Sequence, residues 1–374
     1  MNPHTLFCPN LTCPARGQSN EGNIHPHHVK EKRYRCDVCG QTFTTTKGTL
    51  FYRLKTDPEV VILVLVLMSY GCPLQAIVRG FELDERTVKS WWHRAGNHCH
   101  AFHQNQVSSK KIDLGQVQAD EIKAKICGQS LWMAMAIMVS TRLWLGGVIS
   151  ANRDATLIQT MANQIAAMAL CRPLLLAVDG LWSYITAFRR AFRTKNPLSG
   201  PRGQPKYLAW PDIAIVQVIK NRNVPHLEIR REIEQGVEKM IDQLRAKSQN
   251  GKGVINTAYI ERLNATFRQR LAILGRRSRH LAHHSTTLEA GMMIVGCFYN
   301  FCDAHDSLRT KLWLSKTRYR WARRTPAIAA GLTDHVWTYE ELLTYPIPPS
   351  PWVPKRKRGR PSKAEIALIE RWCK

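Results

Sequence analysis

The spacing of apolar positions changes along the chain, and these changes separate regions of different predicted structure. Residues 1–50 are mostly polar and have no sustained period. Between residues 56 and 105 apolar side chains recur at helical spacing, which predicts a small all-helical unit. Residues 112–310 alternate strand-like and helix-like patterns and therefore predict an α/β domain. A Pro-rich stretch followed by a cationic run occupies residues 345–363.

The α/β region begins with three strand-like segments separated by turn signals, which predicts an antiparallel meander: residues 115–126, 131–139 and 142–149. The patterns that follow predict a helix over about 154–170, buried strands at 173–180 and 213–219, a charged helix near 228–247, and a strong helix over 256–271. The predicted fold class is an α/β core with a mixed sheet flanked by helices.

The helical unit has the spacing of a helix-turn-helix motif. A helix from Pro58 to about Tyr70 and a short helix over 74–78 precede a third helix, Glu85 to Ala95, with Asp84 as its cap. In such motifs the last helix enters the major groove. Its polar face offers Arg86, Lys89, Ser90, His93 and Arg94 to DNA. The alternative is an ordinary helical bundle with a solvated charged face.

The N-terminal region contains two cysteine pairs, Cys8-x4-Cys13 and Cys36-x2-Cys39. Paired thiolates on two knuckles can close a tetrahedral Zn²⁺ site. The pattern is similar to a zinc ribbon, in which Phe43 would pack beneath the metal. Replacement of one cysteine by a nearby histidine is an alternative; the histidines concerned are His25, His27 and His28. Four unrelated cysteines are the other alternative.

The charge balance narrows the class of partner. The 374 residues contain 54 Lys and Arg against 28 Asp and Glu, a formal charge of +26. Such an excess favours a polyanionic partner, nucleic acid before an acidic membrane, and argues against a small-molecule substrate. The longest apolar run, 60–68, is too short to span a membrane, and the N-terminus lacks a signal-peptide pattern. Eleven cysteines, an odd number, suggest a reducing compartment.

Three acidic residues occupy positions from which they could together bind a metal ion. Asp120 lies in the first predicted strand of the α/β region, Asp179 ends a buried strand, and Glu261 lies on the strong helix with Asn264 and Arg268 on the same face. Clustered carboxylates can hold two Mg²⁺ ions for phosphodiester chemistry, as in RNase H-like nucleotidyl transferases. Glu121 points to the opposite strand face from Asp120 and is the alternative first acid.

The order of these motifs resembles a bacterial insertion-sequence DDE transposase. The resemblance rests on Ala119-Asp120-Glu121, Ala177-Val178-Asp179-Gly180, the Glu-x-x-Asn-x-x-x-Arg helix and Tyr299-Asn300-Phe301 with His305. It implies an RNase H-like fold and a Mg²⁺ (or Mn²⁺) site formed by Asp120, Asp179 and Glu261. His305 is a candidate for a supporting contact, with a buried structural histidine as the alternative. The implied partners are double-stranded DNA of element ends and target, with a homo-oligomer acting on that DNA. The implied location is the nucleoid in the bacterial cytoplasm.

One departure from the family is the long separation between the second and third acids, which predicts an insertion at about 187–255. The predicted division is a zinc ribbon at 1–50, a helix-turn-helix domain at 51–108, a catalytic domain at 112–310, an extension at 311–347, and a Pro-rich linker with a basic tail at 348–374.

Positive charge concentrates in acid-free stretches, and these supply the remaining predicted DNA contacts: Arg189, Arg190, Arg268, Arg270, Arg358 and Arg360. The last two belong to an Arg-Gly-Arg-Pro segment that resembles an AT-hook, with a generic polybasic tail as the alternative. In the stretch 307–333, Trp313, Tyr319 and Trp321 alternate with cations. They are interpreted either as stacking partners for splayed bases or, for the two tryptophans, as core residues.

Two other functions fit the same motifs less fully. A DNA-binding regulator, or an inactive transposase derivative, would keep the ribbon and the helical unit without cutting DNA. A membrane-surface protein would need amphipathic basic helices with exposed aromatic residues. The predicted function is a DNA transposase that binds the ends of its element, then cleaves and joins DNA with Mg²⁺.

Overall fold

The structure is a computed structural model that describes residues 3–126, 129–196, 206–221, 228–248, 253–275, 284–354, 359 and 361–373. The chain forms two compact units. One contains residues 1–60 together with 340–374, and the other contains residues 61–339.

The strands are β1 Ile24–His28, β2 Arg33–Cys36, β3 Thr42–Thr44, β4 Gln116–Ile126, β5 Gln129–Met138, β6 Trp144–Ser150, β7 Leu174–Asp179, β8 Arg193–Lys195, β9 Tyr207–Ala209, β10 Ile213–Asn221, β11 Glu228–Gln235, β12 Thr310–Trp313 and β13 Tyr319–Ala322. The α-helices are α1 Pro58–Ser69, α2 Leu74–Gly80, α3 Glu85–His103, α4 Ala155–Met168, α5 Ser183–Ala191, α6 Glu238–Ser248, α7 Ala258–Arg270, α8 Ser285–Phe301, α9 Pro326–Ala329, α10 Tyr339–Thr344 and α11 Lys363–Trp372. No helix among the described residues is long and apolar enough to cross a lipid bilayer.

The smaller unit is built on the antiparallel sheet β1-β2-β3. Its small core contains Phe43, Tyr34 and three of the four predicted zinc-binding cysteines, and it also contains Trp372 from the C-terminal helix α11. The side chain of Gln18 donates a hydrogen bond to the Trp372 carbonyl at 2.7 Å. Residues near 372, predicted as part of a separate tail, therefore contribute a buried side chain to the core of the smaller unit.

The larger unit is an α/β structure with a six-stranded mixed sheet in the order β11-β10-β7-β4-β5-β6. Strands β4, β5 and β6 form the predicted antiparallel meander. Strands β7 and β10 lie parallel to β4, which places their carboxyl ends at one edge. Helix α6 covers one side of β7 and β10 through Ile241 and Leu244. The predicted mixed sheet flanked by helices is confirmed.

The segment 228–235 corrects one prediction. It is strand β11, paired antiparallel with β10, and only residues 238–248 form the charged helix. The strand is a largely exposed edge, so its charged side chains face solvent while its backbone groups pair with β10. Strands β10 and β11 belong to the main sheet, so a large part of the expected insertion at 187–255 is integral to the α/β core.

Helix α3 extends well beyond the predicted end at Ala95. Its buried side packs against α8, where the Trp92 indole donates to the Thr287 carbonyl at 3.2 Å. At Gly96 an added Cβ would lie 2.4 Å from the Ala290 Cβ, so the glycine permits close helix packing instead of ending the helix. The N-terminal cap by Asp84 is present and accepts from the Thr87 amide at 3.0 Å.

Candidate functional site

Two acids meet because two parallel strands are in register. Ala119 on β4 pairs with Val178 on β7, so the next residues, Asp120 and Asp179, lie side by side. Carboxylate oxygens of Asp120, Glu121 and Asp179 all lie within 4.8 Å of one another. Clustered oxygen ligands of this kind suit a hard divalent cation such as Mg²⁺. The acidic group therefore can hold a metal ion.

The acidic cluster lies at a cavity of about 620 Å³. Asp120 and Asp179 line it together with Glu261, Asn264 and Arg268, so the predicted polar face of helix α7 is confirmed. The amide of Asn264 donates to Asp120 Oδ2 at 2.8 Å, which ties the helix to the acid on β4. The other carboxylate oxygen, Oδ1, accepts from the backbone amide of Glu121 at 2.8 Å.

Gln118 connects strand β4 to the first turn of helix α7. Its side-chain oxygen accepts the backbone N–H groups of Tyr259 and Ile260, both at 3.0 Å. Its side-chain nitrogen donates to the Asn256 carbonyl at 2.6 Å. The first amides of a helix have no partner within the helix, so this buried glutamine satisfies two of them. It thereby fixes the position of Glu261 in that same turn.

The electrostatics of the cluster favour a cation. Burial and the negative charges of Glu121, Asp179 and Glu261 together raise the pKa of Asp120 to about 6, although the hydrogen bond from the Glu121 amide acts in the opposite direction. Burial likewise raises the pKa of Glu121, as does the charge of Asp179, while Arg153 opposes both effects. A divalent cation would relieve the repulsion between these carboxylates.

Two basic side chains of the chain itself already contact the acids. Arg153 Nη2 lies 2.9 Å from Glu121 Oε2 and 3.4 Å from Asp179 Oδ2. Lys220, at the end of β10, forms an ion pair with Glu261. The Thr257 hydroxyl also donates to Glu261 at 2.8 Å. Glu261 shares the cavity but does not belong to the group of described acids within 4.8 Å.

The geometry separates the two candidates for the first acid. Asp120 lines the cavity and contacts Asn264 of helix α7. Glu121 has a side chain only 1% exposed and is paired with Arg153. Tyr184, whose pKa burial raises well above its usual value, lies next to Glu121. Both acids belong to the possible metal group, but only Asp120 faces the space that a substrate can enter.

The four predicted zinc ligands also come together. The Sγ atoms of Cys8 and Cys39 are 3.6 Å apart, and those of Cys13 and Cys36 are 3.9 Å apart. Tetrahedral coordination at a Zn–S distance of about 2.3 Å places sulfurs about 3.8 Å apart. The side chain of Asn23 contacts Cys36 Sγ at 3.5 Å. This cluster of Cys8, Cys13, Cys36 and Cys39 can bind zinc.

The protonation of these thiols also fits a metal site. Burial raises the pKa of Cys8 and that of Cys13, the latter to about 12. At Cys39 burial acts in the same direction, but hydrogen bonds from Asn10 and the Gln41 backbone outweigh it, and the pKa falls to about 7. Buried thiols become thiolate ligands only when a cation compensates their charge.

The histidines that were candidates for the metal and catalytic sites lie outside both clusters. His25 is exposed and pairs with Asp37 at 2.9 Å, and the three candidate histidines are not part of the four-sulfur group. His305 packs edge-on against Tyr299 at 4.5 Å between ring centroids, and it does not line the acidic cavity. The alternative interpretations of these histidines as metal ligands or site residues therefore find no geometric support.

Arg270, a predicted DNA contact, already has partners within the protein. Its guanidinium lies 2.7 Å from Asp303 and 4.3 Å from the Tyr70 ring centroid, and its side chain is only 12% exposed. A largely buried guanidinium that contacts a carboxylate and an aromatic ring contributes to the stability of the fold. Arg268, two residues earlier, instead lines the acidic cavity.

The other predicted DNA contacts have varied surroundings. Arg86, Lys89 and Arg190 are exposed, although Lys89 pairs with Glu85 at 2.5 Å. Arg94 is half-buried. Arg189 donates to the Glu234 carbonyl and to Gln235, which ties helix α5 to strand β11. Arg358 and Arg360 lie outside the described residues.

Sequence reasoning missed Arg153, Lys220 and the anchoring role of Gln118. Lys220 has a detectable signal, since it ends a buried strand next to the one that ends in Asp179. Arg153 lies in the turn before helix α4, and nothing in its local sequence distinguishes it from other surface arginines.

Compared with known proteins, the chain matches no protein-family model and no curated protein.

Proposed function

We propose that the protein is a metal-dependent DNA transposase of the insertion-sequence DDE class, with an RNase H-like core. The observation that carries the proposal is the pairing of Asp120 with Asp179 on parallel strands, in one cavity with Glu261. The acids come from the first and fourth strands of the main sheet and from a later helix, as the resemblance implies. The zinc ribbon and the helical unit α1–α3 would bind element ends.

In this proposal Asp120 and Asp179, with Glu261, would hold Mg²⁺. The bound ion would supply activation of the attacking oxygen and stabilisation of the leaving oxygen. Asn264 orients the Asp120 carboxylate, and Gln118 fixes the helix that carries Glu261. Arg268 lines the same cavity and is placed to bind a DNA phosphate.

The test uses the full chain and a plasmid that carries the coding segment with its native flanking DNA. We expect Mg²⁺-dependent strand cleavage and joined products from the wild type, and none from Asp179→Asn. Asp212→Asn is the matched control, since Asp212 is an exposed acid with φ of +56°, a conformation that asparagine tolerates. Equal product from the wild type and Asp179→Asn would contradict the catalytic proposal.

The second candidate is a regulator or inactive derivative that binds element ends without cutting them. Two acids of the site already form ion pairs with basic side chains of the chain itself: Glu261 with Lys220, and Asp179 with Arg153. These pairs favour the second candidate, because the same carboxylates would have to bind the metal ion. If the wild type binds the flanking DNA but yields no product with Mg²⁺ or Mn²⁺, this function replaces the catalytic one.

A further inference from the structure

The hairpin β12–β13 exposes an aromatic face. Trp313, Tyr319 and Trp321 are 61%, 41% and 43% exposed, which overturns the interpretation of the two tryptophans as core residues. Burying an aromatic side chain normally stabilises a fold. Exposed apolar clusters of this kind commonly mark binding surfaces.

Strand register gathers the rings on one side. Lys311 pairs with Trp321, and Trp313 pairs with Tyr319, so these four side chains share a face. The ring centroids of Trp313 and Tyr319 are 5.2 Å apart, and those of Tyr319 and Trp321 are 5.7 Å apart. Both pairs meet edge to face, so the rings do not cover one another by parallel stacking.

Cations are built into the same face. Lys311 Nζ lies 4.3 Å from the Tyr319 centroid, and the Arg309 guanidinium lies 4.4 Å from the Trp321 centroid. Residues 307–333 contain seven Lys and Arg and no acid. The surface therefore combines flat apolar rings with concentrated positive charge.

We propose that this face, defined by Arg309, Lys311, Trp313, Tyr319 and Trp321, binds unpaired nucleotides of a DNA strand. Aromatic rings stack on exposed bases, and neighbouring cations bind the phosphates between them. A paired duplex would satisfy the cations but leave the rings without partners, because its base faces are covered. The inference rests on the proposed function only in taking DNA as the polyanion, since cleavage and joining create unpaired strands.

Other occupants fit the hairpin less well. A hairpin that enters a membrane would lead with an apolar tip, but the turn here is Ser315-Lys316-Thr317. A second copy of the same hairpin would bring like charges together.

The test measures binding of the full chain to labelled oligonucleotides of equal length by fluorescence anisotropy. Single-stranded DNA, duplex DNA and single-stranded RNA are compared at one salt concentration. Binding to anionic phosphatidylglycerol vesicles is measured separately, by co-sedimentation at the same salt concentration. We expect Trp313→Ala and Trp321→Ala each to weaken single-stranded DNA binding about five- to hundredfold, the usual range for losing one stacked base. Duplex binding should change by less than about twofold, because phosphate contacts dominate it.

The controls separate stacking from folding and charge. Trp313→Phe keeps a ring and should retain most of the affinity. Leu312→Ala removes a 44% exposed side chain from the opposite face of the same strand and should have no effect. A 2-aminopurine base in the strand should be quenched on binding to the wild type and not to Trp313→Ala.

Four results would overturn the inference. These are an equal loss of duplex binding in the tryptophan variants, an equal effect of Leu312→Ala, a clear preference for RNA, or vesicle binding that depends on Trp313. Asp179→Asn should bind the single strand normally, so failure of cleavage and failure of this surface are distinguishable.

Discussion

The side-chain oxygen of Gln118 accepts the backbone N–H of Ile260 at 3.0 Å, so a strand residue caps the helix that carries Glu261. The glutamine lies two residues before Asp120 on β4 and is fully buried. One side chain therefore sets the relative position of the strand and the helix at the acidic cavity.

Gln118→Leu should lower the free energy of unfolding by about 1–3 kcal/mol, because it leaves buried helix amides without partners. Mg²⁺-dependent cleavage should fall while duplex binding is retained. Gln118→Glu keeps an acceptor near the helix N-terminus and should lose less cleavage. Denaturant unfolding, cleavage assays and duplex binding measure these effects. If both variants leave cleavage unchanged, Gln118 does not position Glu261.

Cys36→Ser should remove the bound metal from the smaller unit. The four sulfurs already have the spacing of a tetrahedral site, and Cys36→Ser leaves only three sulfur ligands, two of them buried, for the metal ion. Elemental analysis should give one zinc for the wild type and less for this variant. Cys171→Ser changes an exposed cysteine outside the cluster and should keep the wild-type zinc content. Equal zinc in all three proteins would contradict the ribbon site.

The ionisation of Asp120 should make the metal-free protein less stable at higher pH. Folding raises its pKa to about 6, so the charged form is penalised in the folded state. This penalty is absent below about pH 4, the unfolded pKa, and is complete above about pH 6. Asp120→Asn should therefore raise the free energy of unfolding in EDTA by about 1–3 kcal/mol at pH 7.5 and by little at pH 4.

Thermal or denaturant unfolding at the two pH values tests this expectation. A stabilisation of equal size at both values would mean that the ionisation of Asp120 is not its source. Mg²⁺ should reverse the difference at pH 7.5, since a bound cation stabilises the ionised wild type and not the asparagine variant.

The sequence predicts the main elements well because most are long and periodic. Burial alternates in the second half of β4, β7 is a continuous buried run, and α7 buries one helix face. The sequence predicts a helix where strand β11 lies, because an exposed edge strand has no alternation of buried residues and pairing with β10 decides its structure. Its structure therefore depends on a neighbour that local sequence does not reveal.

The candidate site is predictable in part for a similar reason. Asp120 lies within β4, Asp179 ends β7 and Glu261 lies on one face of α7, and all three line one cavity. Arg153 reaches Glu121 across 32 positions of sequence, and Lys220 reaches Glu261 across 41, so both depend on long-range packing. Trp313 is exposed because no other part of the described chain covers this face of the hairpin. Amino-acid composition does not indicate that.

Arg153 and Glu121 should be energetically coupled. Arg153→Gln leaves the buried Glu121 carboxylate without its partner and should cost about 1–3 kcal/mol, since the arginine is 35% exposed. The double variant Arg153→Gln, Glu121→Gln should recover part of that loss, because the buried charge is gone. A double-mutant cycle by denaturant unfolding gives the coupling, and additive effects would show that the pair is not a stabilising interaction.

Arg270 and Arg268 should have opposite phenotypes, although they are two residues apart on one helix. Arg270→Gln removes the cation from the Asp303 carboxylate, which is 14% exposed and keeps only the hydroxyl donors of Tyr70 and Tyr339, and should cost about 1.5–3 kcal/mol of stability. Arg268→Gln removes a charge from the acidic cavity and should leave the melting temperature nearly unchanged while reducing cleavage. Both variants are compared by thermal unfolding and by cleavage below their melting temperatures. If Arg270→Gln instead keeps full stability and loses duplex binding, Arg270 contacts DNA as the sequence predicted.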